Sequence, residues 1–133
     1  MNSIINFHPR QAPMLELGRI PSAIRPRRTD TLAPQPGDLL YLYVGLNTPA
    51  GRLVRTEMCE FVADITIFKP IGPTYQVMVG SEMLDNKRLL DLAKSNGFQD
   101  DDSMIRYFDK LYGLPFQGSL LGWSAKPSYL PVH

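Results

Sequence analysis

Cysteine is nearly absent from this 133-residue chain, with Cys59 standing alone. An intramolecular disulfide is impossible, and a cysteine-rich zinc site within one chain is excluded. Histidine is almost as scarce, and His8 and His133 are too few for a histidine-rich metal site. No metal and no cofactor are therefore expected. Long apolar runs are missing as well. None approaches the ~20 residues that span a bilayer, so no membrane partner is expected. Met1–Asn6 has no basic stretch leading into an apolar one, so no signal peptide is visible. A reducing cytoplasm is the simplest compartment.

What is present is ordinary for a folded domain. Hydrophobic residues make up 44% and charged residues 20%, values that fit neither a disordered nor a fibrous chain. The 12 prolines oppose a long helical bundle, because proline breaks helix interiors. The length predicts one domain over 1–133, with a core over about 3–124 and an irregular tail over 125–133.

The net charge of +1 hides an asymmetry. Residues 1–56 carry seven arginines and no lysine against Glu16, Asp30 and Asp38, which sums to +4. Residues 57–133 carry seven cations against ten acids, which sums to −3. Arginine favours bidentate contact with phosphate and base edges. The same arginines could equally pair with the acids of the other half.

Residues 3–7 read as a first strand and Gln11–Leu17 as a short helix stopped by Gly18. Ile20–Arg25 is extended, because Pro21 and Pro26 oppose helix. Gln35-Pro36-Gly37-Asp38 is a turn, and Leu39–Val44 is a strong strand rich in aromatic and branched residues. After a hairpin loop at 47–51, Leu53–Phe68 reads as one long strand with a bulge or bend. Tyr75–Val79 is a further strand. Ser81 reads as the N-cap of a helix over Leu84–Ser95 closed by Asn96-Gly97. Asp100-Asp101-Asp102 leads a second helix with Met104, Ile105, Phe108, Leu111 and Tyr112 on its core face, stopped by Gly113. Gly118–Trp123 is the last strand. Strands first and helices late predict an α+β fold.

Gly18-Arg19-Ile20-Pro21-Ser22-Ala23-Ile24-Arg25, then Pro36-Gly37-Asp38 opening Leu39–Val44, resembles the start of an ASCH domain of the PUA-like superfamily. Ala93–Phe98, Met104–Tyr112 and a closing strand with Trp123 resemble its later helices and return strand. The likeness covers roughly residues 3–124. It implies a small PUA-like β-barrel, or a strongly curled mixed sheet, flanked by two or three helices with a cleft between. It also implies RNA or a modified nucleobase or nucleoside as partner. One branch of the family hydrolyses N4-acetylcytidine with a Lys, a Thr and a Glu, and others are ribonucleases. Here those three positions read Ile20, Ala23 and Asn96. None can supply the ionisable or hydroxyl group required, so that activity is expected to be absent. Only the motif's arginine is kept, as Arg25.

Arg25, Arg27 and Arg28 are the sharpest candidates. Along an extended segment Arg25 and Arg27 share a face and Arg28 does not. Arg27 and Arg28 read as phosphate contacts. Arg25 reads either as a ligand to phosphate or as half of an interior pair with an acid. Arg19, with Arg52 and Arg55, would form a rim. Tyr41 and Tyr43 share one strand face, which either stacks bases or is simply the half-polar side of a sheet. Trp123 reads as core.

The expected function is a nucleic-acid-binding module, RNA or a modified base being the favoured ligand. The alternative is a ribonuclease or nucleoside hydrolase with a non-standard set, Arg25, Glu57, Glu60 and Lys110. A third is a small protein that binds a protein partner. The aspartate run fits helix capping better than a metal loop. Cys59 reads as a buried small hydrophobe, and Ser119 lacks the elbow motif of a nucleophile.

Overall fold

A computed structural model describes residues 2–28, 33–72, 74–124, 127 and 129–130. The chain runs β1 (Asn2–Phe7), a 3-10 turn (Pro9–Gln11), α1 (Ala12–Glu16), β2 (Ser22–Pro26), β3 (Leu39–Val44), β4 (Arg52–Met58), β5 (Phe61–Phe68), β6 (Gln76–Val79), β7 (Glu82–Met83), α2 (Asn86–Ser95), α3 (Asp101–Tyr112) and β8 (Phe116–Gly122). The expected loop residues 29–32 and tail residues 125, 126, 128 and 131–133 lie outside the described residues. No helix among the described residues is long and apolar enough to cross a membrane.

The strands form two sheets. A three-stranded sheet is ordered β1-β3-β4, with β1 parallel to β3 and β3 antiparallel to β4. An antiparallel five-stranded sheet is ordered β2-β8-β5-β6-β7. The fold is α+β, as the element order predicts. The barrel implied by the family resemblance is not formed, since the two sheets share no ladder among the described residues. The physical reason lies at two seams. At Cys59-Glu60 the chain changes sheets: the Cys59 N–H donates to the Asp38 carbonyl at 2.8 Å, and the Glu60 N–H donates to the Gly122 carbonyl at 2.7 Å. The stretch Leu53–Phe68, expected as one bent strand, is therefore two strands in two sheets. At the other seam β1 and β2 meet through a side chain, the Arg25 guanidinium on the Asn6 carbonyl.

Alternation along the strands builds two cores. On β3, Leu40, Leu42 and Val44 are buried while Tyr41 and Tyr43 turn outward. With Ile5, Phe7, Leu15, Ile20, Ala23 and Leu121 they fill the space between the sheets. The opposite face of the five-stranded sheet carries Ile24, Ile65, Ile67 and Leu120, and packs on Leu89, Leu92, Met104, Ile105 and Phe108 of α2 and α3. Close pairing of β2 with β8 depends on Gly118. A Cβ there would lie 2.5 Å from the Arg25 carbonyl oxygen, nearer than real Cβ contacts come.

Two local expectations are corrected, and one feature of the tail is added. The cap of α2 is Asp85, not Ser81: its carboxylate accepts the Arg88 N–H at 2.9 Å, and Glu82–Met83 is spent on a short strand. The core face of α3 ends at Phe108, because Leu111 and Tyr112 are more than half exposed. Tyr112 still stacks on Phe108 with ring centroids 6.1 Å apart. In the tail, Tyr129 is buried, and its hydroxyl hydrogen-bonds the Ser22 hydroxyl at 3.1 Å.

Candidate nucleic-acid interface

The inner face of the five-stranded sheet changes character along its strands. Register places Ala23, Leu121 and Val62 in one row across β2, β8 and β5. This apolar row lies under the three-stranded sheet. Two residues along, on the same face, the row is Arg25, Ser119 and Asp64. There the cover ends. A cleft of about 560 Å³ opens between this polar row and the β1 segment Ser3–Asn6. Arg27, Arg28, Pro34 and Gln35 complete its rim.

Arg25 is half-buried and holds the floor of the cleft. Its two terminal nitrogens donate to the Ile24 carbonyl at 2.8 Å and the Asn6 carbonyl at 2.7 Å. The guanidinium also lies 4.9 Å from the centre of the Phe7 ring, a favourable cation–π distance. Burial pulls its pKa below the ordinary arginine value, yet a guanidinium stays charged at any physiological pH. Among the described residues two main-chain carbonyls stand where an interior acid was expected, and neither neutralises the positive charge. Two of the five N–H donors of a guanidinium are used in this way.

Arg27 lies 3.4 Å from the Asp64 carboxylate, with side chains 42% and 71% exposed. Such a pair is screened by water and held weakly. Arg28 lines the same cleft, contrary to strict alternation. β2 ends at Pro26, so the period of two no longer governs residues 27 and 28. Across the cleft Ser3 is 8% exposed, and its hydroxyl has no hydrogen-bond partner among the described residues. An unsatisfied buried hydroxyl is uncommon and unfavourable.

The other candidate residues stand elsewhere. Arg19 is exposed beyond α1 and does not line the cleft. Arg52 pairs with Glu16, and Arg55 with Glu57 at 2.7 Å, so the supposed rim arginines are held by acids. Tyr41 and Tyr43 are half-buried on the outer face of the three-stranded sheet. There the Tyr41 hydroxyl accepts from the Asn2 amide at 3.2 Å. Glu57 belongs to that sheet, Glu60 is exposed at the crossing between sheets, and Lys110 is exposed on α3. Of the four residues considered for catalysis, the cleft contains Arg25 alone. Ile20, Ala23 and Asn96 are all buried. The Asn96 amide bonds the Leu92 carbonyl at 2.9 Å, as a helix end requires.

Cys59 is buried and donates to the Phe61 carbonyl at 3.4 Å, and burial pushes its thiol pKa up. Asp100 caps α3 by accepting the Ser103 N–H at 2.8 Å. No group of three or more metal-ligating side chains occurs among the described residues. A second hollow, of about 500 Å³, has only Thr66 and Lys69 as polar lining.

Sequence reasoning missed Ser3 and Asp64, and weighed Ser119 only as a nucleophile. They come from three strands far apart in the chain, and only strand pairing brings them to Arg25. No protein-family model, curated protein or solved structure matches the chain.

Proposed function

We propose that this chain is a nucleic-acid-binding module, for RNA or a modified base, and that its arginine-lined cleft is the binding site. The observation that carries the reading is the convergence of Arg25, Arg27 and Arg28 on one cleft, with Arg25 held there by main-chain carbonyls. Guanidinium forks suit phosphate oxygens, and the exposed Arg27–Asp64 pair, weakly held, leaves further guanidinium donors for a ligand. The apolar walls, Ile5, Val62 and Leu121 among them, suit the faces of a base. The likeness of Gly18–Arg25 and Pro36–Asp38 to ASCH domains points to the same ligand class.

The test is fluorescence anisotropy of labelled single-stranded RNA titrated with protein over a series of salt concentrations. For two or three phosphates held, log K should fall with log salt at a slope of about −1.4 to −2. Affinity that is flat across the salt series, or undetectable at the lowest salt, overturns the reading.

A further inference from the structure

We propose that the cleft receives a single base and prefers guanine, an inference that rests on the nucleic-acid reading above. A cleft of about 560 Å³ has the scale of a site for one small ligand. A paired duplex cannot enter it, whereas an unpaired or extruded base can.

The polar groups of the cleft define which base edge fits. A carboxylate accepts hydrogen bonds and cannot donate them. The edge facing Asp64 must therefore donate. Guanine is the standard base whose Watson–Crick edge carries two neighbouring donors, N1–H and the 2-amino group, beside an acceptor, O6. Adenine and cytosine place one amino group beside a ring-nitrogen acceptor, which a carboxylate repels. Uracil flanks its single N–H with two carbonyls.

Arg27, 3.4 Å from Asp64, puts a guanidinium beside the carboxylate. Donor and acceptor then stand in the order that O6, N1–H and the amino group require. The pair's exposure leaves both side chains reachable. On the opposite wall, the buried and unpartnered Ser3 hydroxyl offers a further hydrogen bond to an atom that enters the cleft. A buried hydroxyl left unsatisfied on the wall of a cleft is a group whose partner a ligand can supply. Ser119, beside Asp64 in the strand register, supplies another hydroxyl.

The experiment uses short 5′-labelled oligouridylates whose central position is guanosine, inosine, adenosine, cytidine or uridine, titrated at low ionic strength. The guanosine oligomer should bind about tenfold or more tighter than those with adenosine, cytidine or uridine. Inosine, which lacks the 2-amino group, should fall between. Asp64→Asn should bring the guanosine oligomer down to the level of the others while tightening the all-uridine oligomer, since an anion has left the site. Ser3→Ala should weaken the guanosine oligomer severalfold with no loss of thermal stability. Equal affinity for all five oligomers overturns the base preference and leaves the phosphate-binding reading standing. Preference for another base, or a guanosine preference that survives Asp64→Asn, overturns the assignment to Asp64. If none of the oligomers binds, both readings fall.

Discussion

Two groups of arginines sit on this small molecule, and they differ in what holds them. Arg52 and Arg55, on β4, are paired with the carboxylates of Glu16 and Glu57. Arg25 is held by main-chain carbonyls, and Arg27 by an exposed acid at 3.4 Å. A carboxylate partner cancels the charge, whereas a carbonyl orients the guanidinium and leaves its charge intact. In the sequence the seven arginines of residues 1–56 look alike. The fold separates them by partner and place: Arg25 keeps its charge in the cleft, Arg27 faces an acid at the cleft rim, and Arg52 and Arg55 face acids away from it.

The sharpest break of this comparison removes each group in turn. Arg27→Ala with Arg28→Ala should weaken single-stranded RNA binding about tenfold or more, because a hydrogen bond to a charged group contributes about 1.5–3 kcal/mol. The salt slope should become shallower by about 1.4, the share of two phosphates. Arg52→Ala with Arg55→Ala should change affinity less than about twofold, since neither side chain lines the cleft. Equal losses from both double variants would mean that lining the cleft has no bearing on binding.

Arg25 should behave differently from Arg27, because it also closes the seam between β1 and β2. Arg25→Ala leaves the Asn6 and Ile24 carbonyls without their donor and the Phe7 face without its cation. Urea denaturation should show a loss of about 1.5–3 kcal/mol. Arg25→Lys should recover only part of it, since one ammonium cannot reproduce a planar fork. Arg27→Ala should stay within about 0.5 kcal/mol of the parent. An unchanged urea midpoint for Arg25→Ala would show that the guanidinium does not hold the two sheets together.

The same contrast marks what a reader of the sequence can and cannot see. Leu39–Val44 was legible because alternation and β-branched or aromatic side chains agree there. Asn96-Gly97 was legible because Gly97, at φ +84°, is the residue that lets a helix stop in that way. Arg25, Arg27 and Arg28 were legible because they are neighbours in the chain. The crossing at Cys59-Glu60 was not, since neither glycine nor proline marks it and both flanks have strand character. Asp85 displaced Ser81 as a cap because Glu82–Met83 pairs with Met78–Val79, a tertiary choice. Tyr129 sits in a proline-bearing tail with no periodicity, so its burial has no local signal. Ser3, Asp64 and Ser119 lie on three separate strands, and no local pattern links them.

Ser3 gives a prediction in which stability and binding move apart. Its hydroxyl is buried without a partner among the described residues, so Ser3→Ala should leave the urea midpoint unchanged or raise stability by about 1 kcal/mol. RNA affinity should fall in the same variant. A clear loss of stability would show that the hydroxyl serves the fold rather than the ligand.

The smallest effect concerns a third kind of arginine site, at the start of α2. Arg88 bonds the Met83 carbonyl at 3.2 Å and faces both Glu82 and Asp85. Its own N–H, received by the Asp85 carboxylate, is the main cause holding that carboxyl below its ordinary pKa, with the guanidinium charge adding to it. Asp100 is lowered in the same way by the Ser103 N–H at the start of α3. A carboxylate whose pKa is lower folded than unfolded stabilises the fold above the unfolded value and loses that contribution as pH falls through the folded one. Helix content, followed by far-UV circular dichroism from about pH 5 downward, should therefore fall on acidification. Asp85→Asn with Asp100→Asn should flatten part of that fall while keeping both helices at neutral pH, because asparagine also caps. The cleft should not share this sensitivity at Arg25, whose carbonyl partners do not titrate. An acid profile unchanged by the two substitutions would remove the caps from the account.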